Sequence, residues 1–248
     1  MRTSLRRTVG REVSGPPVGS SIRGKAAMEI EQHMQVWPIE ARDIPEAWFL
    51  CIRKVLEAGY EYTIGRGSFQ GNKRKELDLV VVQIRQPGIR PLVPDVPQGI
   101  SPPTTIDYVE SYLPYLMSSC KAENEEYTYG EDIEPQLPEV IRMYQESGFN
   151  TNQAFMAIGS RESIYLSDPP CLRGIHTRVR YGKLHFVVYF RSWDLWGGFP
   201  SNLAGLQLMK EYMAGEIGVG DGELICLSSG MHLYDHTWEW AKIVAHIK

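Results

Sequence analysis

The chain has 248 residues, 43% hydrophobic and 23% charged, with a net charge of −4. That is globular composition, long enough to bury a sizeable core, and it holds no apolar run of about 18 residues that would cross a membrane. Six basic residues (Arg2, Arg6, Arg7, Arg11, Arg23, Lys25) face one acid, Glu12, up to Lys25, so this stretch carries +5 and the remainder −9, a body too acidic for a large nucleic-acid footprint.

A nucleotide monophosphate needs only two or three cations in one pocket, so the acidity does not exclude that ligand. The four cysteines, Cys51, Cys120, Cys171 and Cys226, form no CxxC pair, which removes a zinc ribbon and a redox dithiol. With no secretory segment, the expected location is cytoplasmic.

Residues 1–27 are rich in Arg, Ser, Gly and Pro and are expected to be a disordered basic leader. They read as a transit-like segment or as an upstream-extended start with Met28 as the first residue. Residues 28–248 are expected to form a single domain. Apolar spacing predicts a helix from Ile44 to Gly59, closed by glycine. The polar run GRGSFQGNKRK reads as a turn, and LDLVVVQIRQP as a buried strand ended by Pro87. Residues 91–103 are proline-rich loop. TIDYVESYLPYLMSS reads as a helix bent at Pro114, and PEVIRMYQESGF as an amphipathic helix ending at Gly148. QAFMAIG is an apolar run. GIHTRVRYGKLHFVVYFRSWD alternates and turns at YGK, a hairpin. NLAGLQLMKEYMAGEIG reads as a helix with Asn202 as N-cap, and ELICLSSGMHLYD as the last strand. The order predicts an α+β fold, helices packed on one mostly antiparallel or mixed sheet.

Three clusters carry polar chemistry. In SDPPCLRG, two prolines stiffen the chain before Cys171, Arg173 follows, and Arg191 ends the strand expected to pair with it. A thiolate needs such cations, although a lone cysteine also serves as a small buried hydrophobe. In RSWDLWGGFPSNLAG, Arg191, Ser192, Asp194 and Asn202 gather at a strand end and a helix start, a phosphate seat with a base-reading amide. The same residues also fit a cap and a structural ion pair. In SSGMHLYDHTWEW, His232 and Tyr234 alternate on a strand and face one side. His232 and His236 stand four apart, but without a third ligand and on a strand they are not read as a metal site.

In this order and spacing, DPPC, FRSWD, GGFPSNLAG and SGMHLYDH resemble the thymidylate synthase family, strongly from Asn150 to Trp240 and more thinly from Trp37. YTYGED resembles its Tyr-Gly element, and the short archaeal-type members are the most similar in length. The resemblance implies the family's fold and a methyltransferase converting dUMP to dTMP. Cys171 would add to C6 of the pyrimidine. Arg191 and Ser192 would hold the phosphate, with Arg191 keeping Cys171 ionised. Asn202 would read the base edge, Asp194 would order the base and cofactor side, and His232 and Tyr234 would hold the ribose hydroxyl. Tyr129 would assist proton removal at C5 and Glu110 would relay protons to the base carbonyl. The phosphate arginine of the N-terminal loop would be Arg74, or Lys75 one residue on.

The sequence departs from the family in three places. Asn152 and Gln153 stand where an arginine pair crosses the dimer to the phosphate, which leaves monomer and homodimer both open. Leu172 replaces a histidine. The chain ends at Lys248, 12 residues after His236, short of the apolar tail that covers folate. The expected donor is therefore methylene-tetrahydrofolate or a related pterin such as methylene-tetrahydromethanopterin, with no metal, no membrane and no nucleic acid required. A dCMP or CMP hydroxymethylase shares the cysteine, and a non-catalytic nucleotide- or RNA-binding relative shares the fold. An Asn amide at position 202 favours uracil over cytosine.

Overall fold

The computed structural model describes residues 33–121 and 126–247; the basic leader lies outside them. The first strand, β1 (Val36–Ala41), leads into α1 (Ile44–Ala58). Asp43 caps this helix by accepting the Glu46 N–H at 2.9 Å, and the expected stop at Gly59 is where it ends. Its apolar face, Ile44, Trp48, Cys51, Ile52 and Val55, is buried.

The chain then makes β2 (Tyr60–Thr63), β3 (Lys73–Leu77) and β4 (Leu79–Ile84). Helices α2 (Ile106–Met117) and α3 (Gly130–Ser147) follow, then β5 (Phe155–Ala157), β6 (Leu172–Arg180), β7 (Lys183–Phe190) and β8 (Trp193–Asp194). The last part is α4 (Gly198–Ile217), β9 (Gly220–Ser228), β10 (Met231–Tyr234) and α5 (Trp238–Val244).

The fold is α+β, but the single sheet expected from the pattern is two. Six strands run in the order β1-β4-β9-β7-β6-β5, and four in the order β2-β3-β10-β8. The larger sheet is mixed: β1 pairs with β4 and β7 with β9 in parallel, and the other pairings are antiparallel. One row of buried residues crosses all six strands in register: Ile39, Val82, Cys226, Val188, Ile175 and Met156. Strand alternation puts every second residue on this face, which the helices cover. The hairpin at YGK is present. Tyr181 and Gly182 both have positive φ, 54° and 71°, the two-residue turn whose twist matches its strands.

Four expectations need correction. The presumed turn GRGSFQGNKRK is loop only as far as Asn72, and its KRK opens β3. The presumed last strand ELICLSSGMHLYD is two strands in different sheets, with Ser229 and Gly230 stepping between them. α3 begins at Gly130 and carries Pro135 and Pro138 inside it, two turns before the predicted start. Asn202 does not cap α4, which starts at Gly198. The cap is Asp194, whose carboxylate accepts the N–H groups of Trp196, Gly197 and Gly198 at 3.1, 3.2 and 3.1 Å.

Candidate active site

Cys171 sits at the mouth of β6, where that strand pairs with the end of β7. The Arg191 N–H donates to the Cys171 carbonyl at 2.8 Å, fixing the nucleophile loop to the strand. The Arg191 guanidinium holds the same loop from the side. Its Nε donates to the Pro170 carbonyl at 3.1 Å, and a terminal nitrogen donates to the Pro169 carbonyl and lies 3.4 Å from Asp168. Immediately after the cysteine, the register between β6 and β7 shifts between Leu172 and Gly174. This bulge turns Arg173 away, so that it packs on Gly159 rather than lining the cavity with Cys171. Arg173 is therefore not part of the thiol's positive surroundings, contrary to the sequence reading.

Cys171 lines a cavity of about 280 Å³ together with Arg66, Arg74, Arg191, Ser192 and Asp194. His232, Tyr234, Asp168 and Phe69 complete the wall. The small sheet supplies much of this. Arg74 on β3 pairs in register with Tyr234 on β10, and His232 pairs with Asp194 on β8. His232 and Tyr234 do share a side, their rings 4.7 Å apart. Lys75, the one-residue alternative, goes to the other face and lies over the Trp238 ring.

The wall carries both signs: Asp168 and Asp194 line it, and Arg74 pairs with Glu76 at 3.2 Å. Arg74, Arg191 and Arg66 all face the cavity. Arg74 lies over the rings of Tyr62 and Tyr234, and its Nε is buried without a partner. His232 is held neutral: burial, with help from Arg74 and Arg191, lowers its pKa to about 4. Its Nδ1–H donates to the Gly230 carbonyl at 2.8 Å, which leaves Nε2 as a buried acceptor with no partner. A donor and an acceptor both orphaned in one cavity are costly unless a ligand meets them.

The thiol itself is not ionised by its neighbours in this state. Burial pushes the Cys171 pKa up; Arg191 opposes it, Asp168 and Asp194 add to it, and Arg74 lowers it. The Arg191 guanidinium opposes that rise without reversing it.

A second hollow, about 400 Å³, is lined by Tyr108, Ser111, Tyr112, Tyr115 and Tyr129. Successive rings stack at 6.2 Å (Tyr108–Tyr112) and 5.3 Å (Tyr112–Tyr115), and Tyr115 meets Tyr129 edge-on at 5.2 Å. Tyr129 joins the two hollows, since its hydroxyl accepts the Leu172 N–H at 3.3 Å. Asn202 lines neither hollow; it stands behind them, beside Asp194 of the first and donating to the Tyr112 hydroxyl of the second at 2.7 Å. Glu110 is not brought to either hollow: it is exposed on α2, and the pocket-lining residues of that helix are Tyr108, Ser111, Tyr112 and Tyr115. Asn152 and Gln153 are exposed and line neither. His236 is exposed, and among the described residues no group of three or more His, Cys, Asp or Glu is placed to hold a metal ion.

The family model described as thymidylate synthase matches residues 128–246, the part that holds Tyr129, Cys171, Arg191, Asn202 and His232. A protein named "Putative thymidylate synthase" from Methanosarcina acetivorans is 30% identical over 207 residues, covering 81% of this chain and 91% of that protein. The chain belongs to the thymidylate synthase family. A protein of the same printed name from Methanothermobacter thermautotrophicus is 25% identical over 224 residues, 84% of this chain and 98% of its own. The "Thymidylate synthase" of Listeria monocytogenes is 31% identical over 113 residues, 46% of this chain and 36% of that enzyme. Thymidylate synthases bind dUMP and a folate-type methylene donor in nucleotide biosynthesis.

Several residues of this cavity carry no motif that marks them in the sequence. Arg66, Ser68 and Phe69 belong to the loop before β3, which lies over the cavity through a Phe69–Tyr234 stack at 4.3 Å and a Ser68–Asp168 hydrogen bond at 3.1 Å. The glycines around Arg66 signal a loop able to approach a ligand closely. The tyrosine hollow was visible as Tyr108, Tyr112 and Tyr115, whose spacing puts three rings on one helix face.

Proposed function

We propose that the chain methylates C5 of dUMP to give dTMP, with Cys171 as the catalytic nucleophile. The observation that carries this reading is one cavity holding a cysteine, three arginines and two buried polar atoms without partners, one donor and one acceptor. Arg66, Arg74, Arg191 and Ser192 hold the phosphate. The unpartnered Nε2 of His232 accepts from the sugar hydroxyl, with Tyr234 beside it. The base then lies toward Asn202 and Tyr129, over Cys171.

The Cys171 sulfur bonds to C6, and the C5=C6 electron pair moves onto C5 and the adjacent carbonyl. That makes C5 a carbon nucleophile, and one hard step becomes two easier ones. Asn202 donates to the carbonyl where charge develops. The Cys171 proton passes to water in the cavity as the carbon–sulfur bond forms, with the arginines stabilising the sulfur as it loses that proton. Tyr129, whose pKa burial pushes well above its usual value, keeps its proton and orders water at C5. The methylene pterin supplies the one-carbon unit and the hydride; a flat bicyclic ring suits the stacked Tyr108, Tyr112 and Tyr115. A folate and a methanopterin both meet this requirement.

The test is tritium release from 5-tritiated dUMP, dCMP, UMP and CMP, each with a folate and a methanopterin donor. Release from dUMP, with a product that comigrates with dTMP, is the expected result. Release from a cytosine nucleotide alone makes the chain a hydroxymethylase, and release from none makes it a binding protein.

A further inference from the structure

A carboxamide has two N–H donors and two acceptor lone pairs. At Asn202 the protein uses one of each: Oδ1 accepts the indole N–H of Trp193 at 3.0 Å, and Nδ2 donates to the Tyr112 hydroxyl at 2.7 Å. The two partners are not equivalent. A hydroxyl donates or accepts, and burial holds Tyr112 protonated, so Tyr112 can meet either orientation of the amide. An indole N–H only donates, so Trp193 can face the oxygen and never the NH₂ group.

Trp193 is also closely packed. It is 1% exposed, stacked on Phe190 at 4.0 Å with the ring planes 6° apart, and packed on Phe199 at 4.6 Å. Its backbone N–H is tied to the Gly230 carbonyl at 2.9 Å.

We propose that Trp193 is a specificity-determining positioning residue, whose indole N–H fixes the Asn202 amide in the one orientation that complements uracil. This rests on the nucleotide reading above. With Oδ1 turned to Trp193, the amide keeps one lone pair and one N–H. Uracil offers N3–H as donor and O4 as acceptor, and both are met. Cytosine offers N3 as acceptor and its amino group as donor, so the amide must flip. Flipping sets the NH₂ group against the indole N–H and leaves a buried donor without an acceptor. A loss of that kind corresponds to roughly a ten- to a hundredfold preference.

The experiment measures equilibrium binding of dUMP and dCMP by calorimetry, with no pterin, to the full-length wild type and to Trp193→Phe, Tyr112→Phe, Asn202→Asp and the Trp193→Phe/Asn202→Asp double variant. Trp193→Phe should cut the dUMP:dCMP affinity ratio about tenfold or more, and Tyr112→Phe should leave the ratio unchanged. In the Asn202→Asp background either carboxylate oxygen accepts the indole N–H, so adding Trp193→Phe should not move the ratio further. A loosened core would move it in both backgrounds. Should Trp193→Phe fail to fold, benzothienylalanine at position 193 keeps the bicyclic ring and removes the N–H, with the same ratio expected. A ratio unmoved by either replacement, or moved equally by Tyr112→Phe, overturns the assignment to Trp193. Wild-type protein that binds neither nucleotide overturns the underlying reading instead.

Discussion

The two sheets are built from different materials. In the six-stranded sheet most alternate residues are apolar and buried, Thr177 and Ser228 being polar exceptions, and the row from Ile39 to Met156 runs through all its strands. In the four-stranded sheet the strands read YEYT, KRKEL, MHLY and WD, and they turn Arg74, His232, Tyr234 and Asp194 to the cavity. The first sheet packs on helices, so its residues answer to burial. The second faces the cavity on one side, so its residues answer to the ligand. Stability and chemistry are thereby assigned to separate strands, and Cys171 and Arg191 stand at the ends of β6 and β7 where the two meet.

This division can be broken at three strengths. Cys171→Ser, at the junction, should lower turnover at least about a thousandfold while dUMP binding persists, because a serine hydroxyl at its normal pKa is a poor nucleophile. The melting temperature should stay within a few degrees of wild type. Steady-state kinetics with calorimetry test this, and an active Cys171→Ser protein removes the assigned role. Phe186→Ala, in the buried row-facing side of β7, should do the reverse. It should cost about 3–5 kcal/mol of stability by denaturant unfolding, and the folded fraction should bind dUMP as wild type does.

The smallest effect is on pH. His232 is neutral in the folded protein with its pKa lowered to about 4 from an ordinary 6.5. Between those values the unfolded chain binds the proton and the folded chain does not, so folding stability falls as the medium is acidified from 6.5 toward 4. The loss amounts to about 3 kcal/mol at most. In His232→Gln that part of the slope should vanish, read from unfolding midpoints across the window. An unchanged slope would mean that His232 is not the group titrating.

How much was legible in the sequence follows the same division. The apolar strands, the hairpin at Tyr181–Gly182 and helix α1 were readable because burial imposes a period. The KRK that opens β3 reads as turn because it has no apolar alternation: its partners are Tyr62, Tyr234 and the cavity. β9 and β10 merged because no proline or charged turn marks Ser229 and Gly230. Asn202 looked like a cap because its residue type caps helices, whereas Asp194, four residues upstream of the helix start, does the capping from a neighbouring strand. The cysteine, Arg191 and the His-x-Tyr pair were found because their motifs are local, while Glu110, assigned by resemblance alone, is placed on the exposed side of α2. Trp193 escaped because nothing in sequence says which atom an indole N–H will face.

The step at Gly230 has a consequence for accuracy. One carbonyl oxygen accepts from the Trp193 backbone at 2.9 Å and from the His232 ring at 2.8 Å. The indole that orients Asn202 and the imidazole proposed for the sugar are therefore gauged from a common datum. A base and its sugar are joined by one glycosidic bond, so a caliper with both jaws hung from one peptide group gauges the two halves of a single ligand.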